Sequence, residues 1–340
     1  MLRRLTRAVP LAAAGLLLAV PAGALAAKKS TAVTVMTRNV FLGADLPPLA
    51  LAEPGPDFEA KAGAMLAEVT AGQPDARMKL VGAEIAKAKP DVVGLQEVSL
   101  WRTGPKDPAA RATEVRFDFL GAIRKELARR HAHYRVVAKR LGLDIEGPTD
   151  QNVDVRLTLG DVILARKGVK VSHARSGLFE HQLVIPTKQL GQVNTSRSWN
   201  ALDATIRGAR VHVVNTHLEA YTPDVRLQQA KELVAGPLKS KRPTILVGDL
   251  NSGPTLSAPA DRPPYQAIAK AGFKPRRTAK FSCCFTQLNG DAGWNHNVDW
   301  IMSKPGLKLL RSSITGRERT PGGYHPADHG GVVSTLRVPK

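Results

Sequence analysis

Asp91-Val92-Val93-Gly94-Leu95-Gln96-Glu97 is a nearly continuous apolar run that closes on an amide and an acid. Its length and its β-branched residues read as a strand buried on both faces, delivering Glu97 at its end. Lys89-Pro90 stands just before it. The residue preceding a proline is driven out of the helical region, so the helical spacing of Ala76 to Ala88 stops there. A further helical stretch, Phe58 to Thr70, lies upstream, behind a segment from Phe41 to Pro56 rich in Pro, Gly and Ala that reads as a loop. Before that loop, Val33-Thr34-Val35-Met36-Thr37-Arg38 alternates as a half-buried strand and delivers Asn39.

Downstream, Val115, Phe119, Ile123 and Leu127 recur at helical intervals and predict a basic amphipathic helix from about Thr113 to Arg130. Strands are expected at Tyr134 to Ala138, Asp161 to Arg166, Leu202 to Ile206 and Val211 to Asn215, with polar or hairpin-like inserts at Leu141 to Arg156 and Ser172 to Trp199. Thr222-Pro223-Asp224 opens a helix with proline in its first turn. Thr244 to Gly248, Val298 to Met302 and Gly331 to Val338 read as strands, and Pro263 to Ala271 as a short helix.

The recurring feature is chemical. Asn39, Glu97, His217, Asp249 with Asn251, Asp299, and Asp328 with His329 each follow or adjoin an apolar run. Such groups at the ends of scaffold elements suit binding and catalysis. Cleaving a phosphoester requires neutralised non-bridging oxygens, an oriented water and help for the leaving oxygen. One carboxylate beside an amide, Glu97 with Asn39, seats a hard cation such as magnesium, which keeps several waters. Asp249 and Asn251, one residue apart in an extended run, are expected on one face, and an Asx turn explains that pair equally well. His217, read alone, serves structure as readily as chemistry. Asp299 near His329 would fix the imidazole tautomer and raise its basicity.

In this order, these segments resemble the endonuclease/exonuclease/phosphatase superfamily over roughly Val33 to Val338. The resemblance implies an α/β fold of the deoxyribonuclease-I-like kind, a four-layer α-β-β-α sandwich with two packed, mainly antiparallel sheets. It implies that Glu97 and Asn39 bind or position the metal, with Asp328 beside it. Asp249 would align or activate water, His217 and Asn251 would hold phosphoryl oxygens, and Asp299 would orient His329. Asp249 and His329 both stand as candidates for the general base. The resemblance also implies Arg197 as a phosphate-facing arginine, and sets Asp161 where the family usually carries an asparagine or similar polar residue. The chain departs from the family pattern at Ala327 and at Gly330-Gly331, which flank the Asp328-His329 pair. The Thr37 to Asp45 segment and Cys283-Cys284 resemble a secreted bacterial branch.

The implied activity is hydrolysis of phosphoester bonds with Mg2+, or Mn2+ or Ca2+ in its place. The leading substrate is nucleic acid. Alternatives are a sphingomyelinase-type phospholipase C, a small-molecule phosphatase and, outside enzymology, a catalytically silent polyanion-binding protein. The chain has 49 Lys and Arg against 29 Asp and Glu, a formal charge of +20. That field attracts polyanions and ranks nucleic acid above phospholipid.

Residues 1–26 read as a secretory signal peptide: Arg3, Arg4 and Arg7, then an apolar run from Ala8 to Val20, then Ala24-Leu25-Ala26 at a cleavage site. Residues 27–340 are expected to form one domain, secreted or periplasmic, with no second apolar stretch long enough to span a membrane. A monomer is expected. The two cysteines, Cys283 and Cys284, are adjacent. They are expected as a vicinal disulfide or a partly buried thiol pair, and a bridge between neighbours closes almost no loop.

Overall fold

The computed structural model describes residues 29–278, 281–291, 293–304 and 306–340. The expected signal peptide, residues 1–26, lies outside the described residues. In chain order the first elements are β1 (Ser30–Asn39), α1 (Pro47–Ala50), α2 (Pro56–Ala71), α3 (Pro74–Ala88), β2 (Val92–Pro105), β3 (Glu114–Asp118) and α4 (Phe119–Arg129). Then follow β4 (Tyr134–Pro148), β5 (Val153–Arg166), β6 (Lys170–Leu178), β7 (Val184–Thr187), β8 (Gly191–Asn194), β9 (Ser198–Ile206) and β10 (Ala209–His217). The last are α5 (Pro223–Ala235), β11 (Thr244–Asp249), α6 (Pro263–Lys270), β12 (Lys274–Pro275), β13 (Asp299–Ser303), β14 (Lys308–Thr315) and β15 (Gly331–Pro339).

Two sheets stack face to face. One has the order β14-β15-β1-β2-β5-β4, with β3 added to β2; the other has β12-β13-β11-β10-β9-β6. Each contains one parallel pair, β1 with β2 and β10 with β11, and is otherwise antiparallel. Alternation along the central strands sorts side chains into layers. Val33, Val35, Val92, Ile163, Val213, Ile245 and Val247 fill the space between the sheets. Met36, Val93, Leu95 and Leu164 face the opposite way and pack on Phe58, Val81, Ile85 and Ile123 of α2, α3 and α4. Val214 and Leu246 face Ala230, Leu233 and Ile268 of α5 and α6. The result is the expected α-β-β-α sandwich. Because central strands are covered on both faces, they read as unbroken apolar runs.

Five helices carry a proline in their first turn, at Pro47, Pro56, Pro74, Pro223 and Pro263, where a missing N–H costs nothing. α4 starts differently, with the Asp118 side chain accepting from Gly121 N–H at 2.9 Å. The single helix expected from Thr113 to Arg130 is therefore two elements. Glu114–Asp118 pairs with the far half of β2, and only Phe119, Ile123 and Leu127 form a buried helical face. The expected insert at Leu141 to Arg156 is likewise ordered ladder, because β4 and β5 pair through Pro148 and Asp154. The loop from Phe41 to Pro56 holds the short helix α1. Among the described residues, no helix is long and apolar enough to cross a membrane.

Candidate active site

Strand register gathers the chemistry at one edge of the sandwich. β1 and β2 run parallel and leave together, as do β10 and β11, whose last pair is His217 opposite Asp249. Antiparallel neighbours enter at the same edge. Asp299 pairs with Asp249, and Arg197 immediately precedes β9, whose Trp199 pairs with Thr216. His329 stands three residues before Val332, the partner of Thr37. The carboxyl ends of parallel strands are where open α/β sheets bind ligands.

Glu97 arrives by a different route from the expected strand end. Leu95 pairs with Val162 and Val98 with Gly160, so Gln96 and Glu97 together face Asp161. This bulge, with Glu97 at φ 59°, re-aims the acid while the strand continues to Pro105. Asn39 then ties the two sheets' carboxylates together. Its Nδ2 donates to Glu97 Oε1 at 2.9 Å and to Asp249 Oδ2 at 3.1 Å. Its Oδ1 accepts from Phe41 N–H, so Asn39 positions the acids with both ends of its amide engaged. Glu97 Oε2 accepts from Leu42 N–H at 2.8 Å.

Asp249 is fully buried between the histidines. Its Oδ2 lies 3.6 Å from His217 Nε2 and 3.7 Å from His329 Nε2. Burial pushes its carboxyl up to about 6, although the His329 cation opposes this. Asn251 reaches the same face through an Asx turn: its N–H donates to Asp249 Oδ1 at 2.8 Å and its backbone takes φ 45°. Strand alternation is not the reason, since β11 ends at Asp249. The Asn251 amide donates to His217 Nε2 at 3.1 Å and to Leu218 C=O. Burial, with the Arg197 and His329 cations nearby, holds His217 well below the ordinary histidine value, so its ring is neutral.

His329 is the counterpart. Its Nδ1 lies 2.9 Å from Asp299 Oδ2 and 3.1 Å from Oδ1; a carboxylate only accepts, so Nδ1 carries a proton. Burial alone would depress this imidazole. The Asp299, Asp328 and Asp249 carboxylates outweigh it and hold the ring well above the ordinary value. Ser282 Oγ donates to Asp299 Oδ2 at 2.7 Å and fixes the far side of the dyad. The Arg38 guanidinium donates to the His329 carbonyl and pairs with Glu84. The departure from the family pattern at Gly330 has a packing reason. A Cβ at Gly330 would meet Ile314 Cδ1 at 2.7 Å and Trp294 Cη2 at 2.8 Å.

Glu97 and Asp328 have the chemistry to hold a cation. Asp328 is half-buried, desolvation raises its carboxyl, and among the described residues its Oδ1 has no hydrogen-bond partner; such an orphan calls for an ion or water. Asp249, Asp299 and His329 also offer donor atoms within 4.8 Å of one another, but Asp299 and His329 are already committed to each other. Arg197 Nη1 lies 2.9 and 3.1 Å from the His217 ring nitrogens. Asp161 is buried, accepts from Ser198 Oγ at 2.5 Å and is pushed up to about 7 by desolvation. Asp161 lies opposite the bulge that carries Glu97.

Several supporting residues were not apparent as site residues. Glu219, fully buried, accepts from Tyr221 N–H and faces Arg197 Nε at 3.5 Å. Arg226 and Gln229 bind the main chain of Glu219 and shape the turn after His217. Gln96 Nε2 donates to Asn215 Oδ1 at 2.6 Å, joining the sheets beneath the site. For Gln96 and Asn215 the sequence signal was a polar residue at the end of an apolar run. A groove of about 800 Å³ lined by Leu80, Ala83, Lys87, Ile314 and Arg317 lies apart from this edge, and its buried acid, Glu84, is taken by Arg38 and Thr315.

Comparison with known proteins agrees with this architecture. An endonuclease/exonuclease/phosphatase family protein from Leptotrichia buccalis superposes with a TM-score of 0.56 at 13% identity, covering 89% of this chain and 99% of its own. The endonuclease/exonuclease/phosphatase from Bacteroides vulgatus gives 0.54 at 16% identity, with 91% and 99% covered. Truncated Caenorhabditis elegans TDP2 gives 0.50 at 19% identity, with 90% and 97% covered. At these identities the likeness establishes the fold. No match is found among curated protein sequences. Residues 57–329 match the profile of the Endonuclease/Exonuclease/phosphatase family, and the chain belongs to that family.

Proposed function

We propose that the chain is an exported, divalent-metal-dependent phosphodiesterase whose principal substrate is nucleic acid. The observation that carries this reading is the placement of Asp249 between a neutral His217 and a charged, Asp299-bound His329. A carboxylate raised to about 6 is ionised at neutral pH yet basic enough to take a proton. Asp249 accordingly orients the attacking water and accepts its proton. His329, as imidazolium, donates from Nε2 to a phosphoryl oxygen as charge builds there. His217 and Asn251, bonded to each other in the free site, would exchange that bond for a second phosphoryl oxygen, and Arg197 contributes positive charge behind His217.

Glu97, with Asp328 beside it and Asn39 as positioner, would hold magnesium, or manganese or calcium, whose chemistry when bound is to neutralise the non-bridging oxygens. The net basic charge favours nucleic acid. The β7–β8 hairpin exposes chiefly Val184 among its apolar residues, a thin surface for entering a lipid interface. Cleavage after Ala26 would release a monomer outside the cytoplasm.

The test is hydrolysis of DNA, RNA, sphingomyelin and bis-p-nitrophenyl phosphate in parallel, with magnesium and with chelator. Chelator-sensitive cleavage of DNA or RNA is expected. Cleavage of sphingomyelin alone would reassign the substrate, and inactivity of folded, metal-supplied protein on all four would overturn the reading.

A further inference from the structure

We propose that reduction of the Cys283–Cys284 disulfide creates a site for one soft divalent cation, zinc or cadmium, built from both sulphurs and His329 Nε2. Filling it withdraws the imidazole from the phosphoester site. The structure joins the two cysteines as a vicinal disulfide, and the sulphurs lie against the chemistry. Cys283 Sγ is 3.4 Å and Cys284 Sγ 3.8 Å from His329 Nε2. Metal–sulphur and metal–nitrogen bonds of about 2.3 and 2.0 Å at tetrahedral angles put sulphur and nitrogen about 3.5 Å apart. The observed separations bracket that edge. Asp249 Oδ2, 3.7 Å from the same nitrogen, stands at hand for the fourth position.

As ligands the two sulphurs part to about 3.8 Å, while the main chain that carries them stays tied to the His329 segment. Gly330 N–H donates to Ser282 C=O at 2.6 Å, and Phe285 N–H donates to Asp328 C=O at 3.0 Å. The cysteines are therefore bracketed on both sides of His329. Asn295 N–H donates to Cys283 C=O at 2.8 Å from a third direction. Asp299 on Nδ1 orients the ring so that Nε2 faces the sulphurs, the arrangement that metal-bound histidines carry. Cys284 is half-buried, so a reductant reaches the bond.

A dithiol reductant delivers two electrons and two protons to the disulfide and leaves as its own disulfide. Cation binding then releases three protons, the two thiol protons and the one on His329 Nε2, since thiolates and a neutral imidazole are the ligands. Disulfide sulphurs carry no charge and bind such ions poorly, so oxidation state controls occupancy. Thiolates select zinc and cadmium over magnesium, which separates this site from the one at Glu97.

The binding stands independently of the hydrolase reading; the inhibition rests on it. The experiment titrates cadmium into residues 27–340, either untreated or reduced with a dithiol and freed of it under nitrogen. The readouts are thiolate-to-cadmium charge-transfer absorbance and magnesium-supported hydrolysis of bis-p-nitrophenyl phosphate. Expected are one cadmium per reduced chain, no charge-transfer band in untreated protein, and His329→Ala weakening binding on the order of tenfold or more. Hydrolysis falls with cadmium in reduced protein far more than in untreated protein. Equal cadmium uptake in both states overturns the site, as does unchanged affinity in His329→Ala. Full occupancy without loss of hydrolysis overturns the inhibition. A His-dependent band in a protein that hydrolyses nothing upholds the site and removes the hydrolase reading instead.

Discussion

His329 Nδ1 lies 2.9 Å from Asp299 Oδ2, and this pair bridges the two sheets. Asp299 opens β13 in one sheet, while His329 leads into β15 in the other. The dyad exists only because the sheets stack in this register. Asp299→Asn removes the carboxylate that does most to hold His329 above its ordinary value. The alkaline limb of the pH–rate profile, where the imidazolium loses its proton, should move to lower pH. Turnover should fall about 10²-fold or more. A kcat/KM profile on bis-p-nitrophenyl phosphate with an unmoved alkaline limb would contradict the role given to Asp299.

Asp249 sets the acid limb. With its carboxyl at about 6 against an ordinary 3.8, the rate should rise with pH and level off above about 6. Asp249→Asn and His329→Ala should each lower turnover about 10²- to 10⁴-fold with the far-ultraviolet circular dichroism unchanged. The stability sign is opposite to that of a salt-bridged acid. A raised folded value means that ionisation costs stability, so the penalty is absent below the unfolded value and complete above the folded one. Thermal melts at pH 8 should therefore find Asp249→Asn at least as stable as wild type.

Gly94 of β2 lies tight against the second sheet. A Cβ there would meet Asn215 Oδ1 at 2.3 Å and Val247 Cγ2 at 2.7 Å. Gly94→Ala should destabilise the fold by about 1–3 kcal/mol through overpacking and loosen the Gln96–Asn215 bond beneath the site. Urea unfolding measures the first effect and kcat the second.

Chelation should abolish turnover without unfolding the chain, since the sandwich is held by three layers of packed apolar side chains. Glu97→Gln should raise the magnesium concentration giving half-maximal rate on the order of 10-fold or more. An unchanged magnesium dependence would move the metal away from Glu97.

Much of this edge was legible in the chain because a buried strand advertises itself and its last residue is easily read. Asn39, His217 and Asp249 close their strands and were read that way, whereas Asp299 opens β13 and His329 precedes β15. Glu97 was found for a reason that was partly wrong, since its position depends on a count against Asp161 in a strand far along the sequence. The stretch from Thr113 to Asp118 misled for the same reason. Its residues suit either a helix or a strand, and pairing with β2 decides between them.

By itself, the sequence determined which segments are buried strands, where prolines start the helices, and which reactive side chains end up beside apolar runs. These are local consequences of side-chain period and backbone restriction. Only the tertiary structure decided that Asp299 meets His329, that Asn39 ties Glu97 to Asp249, and that two cysteine sulphurs rest against Nε2. Such contacts join positions tens to hundreds of residues apart, and their distances follow from the stacking and register of two sheets, which no local pattern encodes.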